Sequence, residues 1–214
     1  MKKYQVSIVI LLVSLATFFI IYHFYYRKPS WKKYYQEHKD AAVRPLLLKA
    51  FSGLQPSVGI ALDLGAGNGH ETFYLLDRGW KVYAIDAQKK SRKIIEEQAQ
   101  KENLSKNLFF LQTDFESIDW HSLPTFDLII ASYSLPFVKP EIFTQLWYQI
   151  IEHLKPGSIL IANLFPLENK NFSASMMQSM TFLSEEQINK LLKPLFIHYL
   201  KKDNDTFDII AVKK

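Results

Sequence analysis

Three glycines at alternate positions, Gly65, Gly67 and Gly69, follow an acid, Asp63, within the stretch ALDLGAGNGHET. Glycine tolerates positive φ and carries no Cβ, so a turn built this way lets backbone approach a nucleotide-like ligand closely. Asp86 lies about 20 residues beyond the turn, where a carboxylate can take both hydroxyls of a ribose. Further on, Asp114 can accept from an adenine amino group, while Phe115 lends ring contact and backbone. Three acids and one turn describe a pocket for an adenosine-containing ligand. Their charge suits a cationic ligand better than a pyrophosphate.

Two familiar nucleotide turns do not fit. The dinucleotide fingerprint GxGxxG needs glycine at position 70, which is His70. This disfavours a nicotinamide oxidoreductase. A phosphate-binding P-loop needs Gly-Lys-Ser/Thr after the turn, and none follows.

Residues so far apart in sequence meet only if strands and helices bring them together. The apolar run Val58 to Leu62 leads into the turn, and Phe73, Leu75 and Leu76 follow it at helical positions. Strands are expected at 59–64, 81–86, 108–112, 126–131 and 158–162, with helices at 70–78, 88–102, 140–154 and 184–192. The runs DLIIA and SILIA are apolar without alternation, which requires burial on both faces, as in a parallel sheet covered by helices. The end of the chain differs. Leu195–Leu200 and Thr206–Val212 flank a polar turn and read as an antiparallel hairpin.

In order, DLGAGNG, YAID, TDF, FDLIIASYSLPF and LKPGSILIANLF resemble the motifs of class I S-adenosylmethionine-dependent methyltransferases. The resemblance spans roughly residues 40–214, and ASYSLPF and MTFLSEEQ are similar to the small bacterial tellurite-resistance-like group. It implies an α/β fold: a Rossmann-like, doubly wound seven-stranded sheet with its last strand antiparallel. Carried over by residue, Asp63, Gly65, Ala66 and Gly67 would hold the methionine part of the cofactor, Asp63 by positioning the turn rather than by direct contact. Asp86 and Ala87 would take the ribose, Asp114 and Phe115 the adenine. Ser132 completes the cofactor set and, with Tyr133 and His70, is a candidate to lie near the transferable methyl. The implied reaction is in-line displacement at a sulfonium methyl, where positioning supplies much of the rate and no general base is required. ASYSLPF stands where an Asn/Asp-Pro-Pro-Tyr/Phe signature would be, which argues against adenine or glutamine N-methylation. Gly157 is followed by Ser158 where the family often has a second glycine.

The 214 residues accommodate one domain and an appendage. Hydrophobic residues make up 48%, enough for a substantial core, and the absence of cysteine excludes disulfides, Cys-zinc sites and thiol catalysis. No histidines are paired at i,i+4, so no metal site is expected. The net charge of +5 is concentrated in Lys2, Lys3, Arg27, Lys28, Lys32 and Lys33, flanking an apolar segment, so nucleic acid is not the expected partner. Val6 to Tyr22 is a run of about 17 apolar or small hydroxyl residues, followed by an aromatic belt ending at Tyr26. Its exit, IIYHFYYRKPS, lacks a small-x-small cleavage site, so an uncleaved transmembrane helix is expected rather than a signal peptide.

Three segments result: a membrane anchor at 1–28, a juxtamembrane helical segment at 29–54, and a methyltransferase domain at 55–214. Trp31, Tyr34 and Tyr35 are expected at the lipid headgroups rather than as a lid over the cofactor, and Asn169 to Met180, after the fifth strand, as loop packing rather than a substrate cover. The function expected is a single-pass membrane methyltransferase, its domain on the cytoplasmic side where the cofactor is available, acting on a small or lipid-like acceptor. The alternative is a catalytically silent methyltransferase fold serving as a membrane-tethered interaction module.

Overall fold

The computed structural model describes residues 31–172 and 174–214. The expected membrane anchor at 1–28 lies outside the described residues. Two helices come first, α1 (Trp31–Glu37) and α2 (Pro45–Leu54). Pro45 opens α2, where its missing N–H has no intrahelical partner to lose. Alternation follows: β1 (Ile60–Leu64), α3 (His70–Leu76), β2 (Lys81–Ile85), α4 (Lys89–Lys101), β3 (Leu108–Leu111), β4 (Phe126–Ala131), α5 (Pro140–Glu152) and β5 (Leu154–Pro166). A short α6 (Ala174–Met177), β6 (Phe182–Leu183), α7 (Glu185–Leu191), β7 (Leu195–Lys202) and β8 (Phe207–Lys213) complete the chain. Ser184 and Gln187 form a reciprocal capping box that starts α7.

The sheet runs β3-β2-β1-β4-β5-β8-β7, and β6 pairs with β5 off this path. β1 to β5 are mutually parallel, while β8 is antiparallel to both β5 and β7. The seven-strand path and the hairpin agree with the sequence expectation; β6 is an addition to it. Alternate residues of each central strand enter different cores. Leu62, Leu64, Ile129 and Leu160 join Trp147 and Ile150 of α5 and Ile188 of α7. Ala61, Leu128, Ile130 and Ile161 join Leu47 and Ala50 of α2, Phe73 and Leu75 of α3, and Ile95 of α4. Both faces are therefore covered, which accounts for strands that lack alternation. Each fully buried Leu, Ile or Phe side chain in these layers contributes about 1.5–3 kcal/mol relative to exposure.

One boundary departs from expectation. β5 spans 13 residues, far beyond 158–162. Its early pairing with β4 is irregular, which accommodates Gly157 at φ 81. Its later part continues because Asn163 and Leu164 pair with Asp208 and Phe207, and Phe165 with Phe182. Those partners lie far along the chain, so no local pattern announces them.

Candidate functional site

The strand order reverses between β1 and β4, since the chain moves outward through β2 and β3 and returns on the other side. A crevice at the carboxyl ends of the strands is the geometric consequence of that reversal. Here it is a cavity of about 860 Å³, lined by residues that follow β1, β2, β3 and β4 and by the end of β5.

The glycine turn leaves β1 with Gly65 at φ 81, Gly67 at φ 58 and Gly69 at φ 85. Gly65 and Ala66 both donate their N–H to the carbonyl of Ile85, at 2.8 and 3.0 Å, which ties the turn to the end of β2. A Cβ at Gly65 would collide with the side chain of Ser134 and sit 3.5 Å from the Phe115 ring. At Gly69 it would lie 2.7 Å from Ile95. Only glycine satisfies both the backbone and the space at these two positions.

Asp86 stands at the centre. Its Oδ2 accepts from the N–H of Gly67 at 2.9 Å, and its Oδ1 accepts from the N–H of Gln88 at 2.8 Å. The Tyr35 hydroxyl also donates to Oδ1, at 3.2 Å. Burial raises the Asp86 carboxyl above its ordinary range despite these donors. Tyr35 shifts upward as well, through burial and then the Asp86 charge, so the phenol remains the donor.

Asp63 takes a different position. It is buried behind the turn, where it accepts from Thr72 Oγ1 at 2.6 Å, and it does not line the cavity. Burial first, and the Glu71 charge second, push its carboxyl up to about 7. Its role in this structure is to anchor the turn to α3. Ala66 is buried next to it and lines only a small side recess, while Ala87 lines the main cavity. Asp114 and Phe115 also line the cavity, and Asp114 caps the short turn after it by accepting from Ser117 N–H at 2.9 Å.

Past β4, Ser132, Tyr133 and Ser134 line the cavity. The hydroxyl oxygens of Ser132 and Ser134 are buried and have no hydrogen-bond partner in the protein. Buried hydroxyls are costly when unpaired, so two of them on one cavity wall fit a ligand that supplies the partners. Tyr133 adopts φ 52, a left-handed conformation that costs a bulky residue on the order of 1–3 kcal/mol. Arg44 lies over its ring at 4.9 Å, and burial, followed by the Asp208 charge, raises its phenol above the ordinary value.

His70 is the displaced candidate. It lines the side recess, not the main cavity, and its Nε2 lies 2.8 Å from the carbonyl of His38. A carbonyl only accepts, so Nε2 carries the hydrogen and the ring fastens the segment after α1.

Several lining residues were not among the expected ones. Arg44 donates from Nη2 to the Tyr34 hydroxyl at 3.2 Å and lines both the cavity and the recess beside Gly67. Trp31 packs edge-on against Phe137 at 5.1 Å. Trp31, Tyr34 and Tyr35, expected at the headgroups, instead line the cavity, because α1 lies across it. Asn169, Asn171, Phe172 and Met176, after β5, line it too. The sequence signals for the aromatic and methionine residues were their composition and, for 169–180, a place after the fifth strand; the less favoured readings, a lid and a cover, are the ones that match this lining.

The residues present fit S-adenosylmethionine. The turn is a cradle that a Cβ would fill, Asp86 and Asp114 are acceptors at separate strand ends, and two buried hydroxyls lack partners.

Comparison with known proteins points to methyltransferases over part of the chain. A family model described as a methyltransferase domain matches residues 61–157. The cypemycin N-terminal methyltransferase of a Streptomyces species is 34% identical over 98 residues, covering 45% of this chain and 38% of that protein. The chain thus spans well under half the length of this curated relative. Among solved structures, TehB from Haemophilus influenzae matches with a TM-score of 0.70 at 18% identity, over 85% of this chain and 66% of that one. The 1,6-didemethyltoxoflavin-N1-methyltransferase of Burkholderia thailandensis matches with a TM-score of 0.65 at 17% identity, over 88% and 92%. Residues 61–157 thus match a methyltransferase domain, and the fold around them is shared with solved structures that include a methyltransferase.

Proposed function

We propose that the protein transfers a methyl group from S-adenosylmethionine to a small or lipophilic acceptor. One observation carries this reading: the glycine turn, Asp86, Asp114 with Phe115, and the two unpartnered serine hydroxyls all border one cavity that extends into an aromatic chamber. The cofactor, when bound, supplies a methyl already activated on a sulfonium. The chain's own residues bind and orient. Asp86 offers its carboxylate to the ribose, Asp114 and Phe115 border the adenine position, and Gly65 and Gly67 let backbone approach. Arg44 brings a cation beside the turn, suited to a carboxylate, and Ser132 and Ser134 can meet polar atoms between. α1 helps exclude water from the reacting atoms, which strengthens each of these contacts. The relative from Burkholderia thailandensis was crystallised with 1,6-didemethyltoxoflavin and S-adenosylhomocysteine bound, which supports a small-molecule acceptor.

Membrane attachment belongs to the same proposal. Its support is the apolar run Val6 to Tyr22 with basic residues on both sides. Among the described residues no helix is long and apolar enough to cross a membrane. An anchor at 1–28 would hold the cavity near the bilayer, with the domain on the cytoplasmic side. Carbonate-resistant sedimentation of the full chain with membranes, lost on deleting residues 1–28, is the outcome expected; release by carbonate would sink the anchor.

Isothermal titration of the full chain in detergent tests the activity reading at its base. S-adenosylhomocysteine should bind one to one, and Asp86→Ala should weaken it about 10- to 100-fold, the loss of charge-assisted hydrogen bonds. No binding by the wild type would overturn the assignment.

A further inference from the structure

The cofactor residues leave one end of the cavity unexplained. Phe165 stacks on Phe172 at 5.1 Å, and Phe137 meets the two edge-on at 6.1 and 6.2 Å. The β7–β8 turn brings two carboxylates, Asp203 and Asp205, to the lining of the same cavity. Their situations differ. Asp203 is committed: its Oδ1 accepts from the N–H of Asp205 and of Thr206, both at 2.9 Å, and its Oδ2 lies 3.6 Å from Lys201 Nζ. Asp205 accepts one amide hydrogen bond, from Asn171 Nδ2 at 2.8 Å, and Asn169 Nδ2 grips its backbone carbonyl at 2.8 Å. Among the described residues no Lys, Arg or His lies within ion-pair distance of Asp205. Two asparagines thus hold a carboxylate in place beside an aromatic chamber without neutralising it.

Ring faces and a carboxylate share one electrostatic preference. Both attract a cation, and the rings also take up apolar surface. A carboxylate or phosphate on the acceptor would be repelled by Asp205, and a neutral alcohol would offer it one hydrogen bond but no charge. Building on the methyltransferase reading above, we infer that the acceptor is an amine with an apolar body. The body packs on Phe137, Phe165 and Phe172, and Asp205 holds the ammonium. Before transfer the ammonium gives one proton to solvent. The nitrogen lone pair then forms the N–C bond while the methyl carbon's bond to sulfur breaks, sulfur keeping that electron pair as a neutral thioether. The methylated nitrogen leaves with the positive charge.

The test uses the full chain in detergent, saturated with S-adenosylhomocysteine, and three probes of similar shape: 2-phenylethylamine, 2-phenylethanol and 3-phenylpropanoate. Titration should show the amine binding about tenfold more tightly than either of the others. Asp205→Asn should erase that preference, and Asp205→Glu should restore most of it. Phe172→Ala should weaken the amine and the alcohol alike. The inference is overturned if the alcohol or the carboxylate binds as well as the amine, if Asp205→Asn keeps the preference, or if none of the three binds. Failure of S-adenosylhomocysteine itself to bind would overturn the methyltransferase reading, a distinct result read in the first titration.

Discussion

The hydroxyl of Tyr35 donates to Asp86 across 3.2 Å, joining α1 to the acid that ends β2. Asp86 already serves Gly67 and Gln88, so three donors occupy it before any ligand arrives. A ribose that offers both hydroxyls must compete with them, and Tyr35 is the one donor among the three that is a side chain. Tyr35→Phe removes the competitor but keeps the ring. S-adenosylhomocysteine affinity should then rise by up to about fivefold, the worth of one modest hydrogen bond. A fall in affinity on titration would mean that the hydroxyl holds the ligand.

Gly65 tests whether the cradle depends on space. Gly65→Ala imposes a left-handed alanine, at about 1–2 kcal/mol, and a collision with Ser134. The expected result is a loss of more than about 1 kcal/mol in urea unfolding together with loss of ligand binding. Unaltered stability would show that the turn relaxes easily.

Ser132 offers a test in which stability and binding move in opposite directions. Its hydroxyl is buried without a protein partner, so Ser132→Ala relieves an unpaired polar group. The unliganded protein should gain about 1 kcal/mol, while S-adenosylhomocysteine affinity drops several-fold. Parallel losses in melting temperature and affinity would mark the hydroxyl as structural.

Asp63 makes stability depend on pH. Its carboxyl ionises near the ordinary 3.8 when unfolded but is pushed up to about 7 when folded, mainly by burial. Over that window the native state holds the extra proton, so this group's contribution falls as pH rises from about 4 to about 7 and is level above. Asp63→Asn removes the effect. The stability of wild type relative to variant should decline across the window by on the order of 3 kcal/mol or less. A difference that does not vary with pH would refute the burial argument.

Arg44 lies over Tyr133 and bonds Tyr34 on the wall beside the glycine turn. Arg44→Met keeps much of the stem and removes the charge. About tenfold weaker binding of S-adenosylhomocysteine is expected, with a smaller loss for its decarboxylated analogue. Equal losses for both ligands would show that Arg44 does not meet the carboxylate.

The sequence by itself determined the layered sheet, the position of the glycine turn and the acids at the strand ends. Those features are local: apolar runs too continuous for one buried face, glycines where φ is positive, and Asp86 directly after the run that forms β2. The tertiary structure alone decided which residues share the cavity. Asp63 is near in sequence but is turned behind the loop to Thr72, and His70 is turned aside to the His38 carbonyl. Tyr35, Arg44, Phe172 and Asp205 come from segments with no strand or turn signal in common. They meet because α1 lies across the crevice and the β7–β8 hairpin extends β5 past its expected end. Periodicity records which face of an element is buried. It does not record which distant element buries it, so the glycine-turn side of the cavity was legible in the sequence and the meeting of its aromatic side with the β7–β8 turn was not.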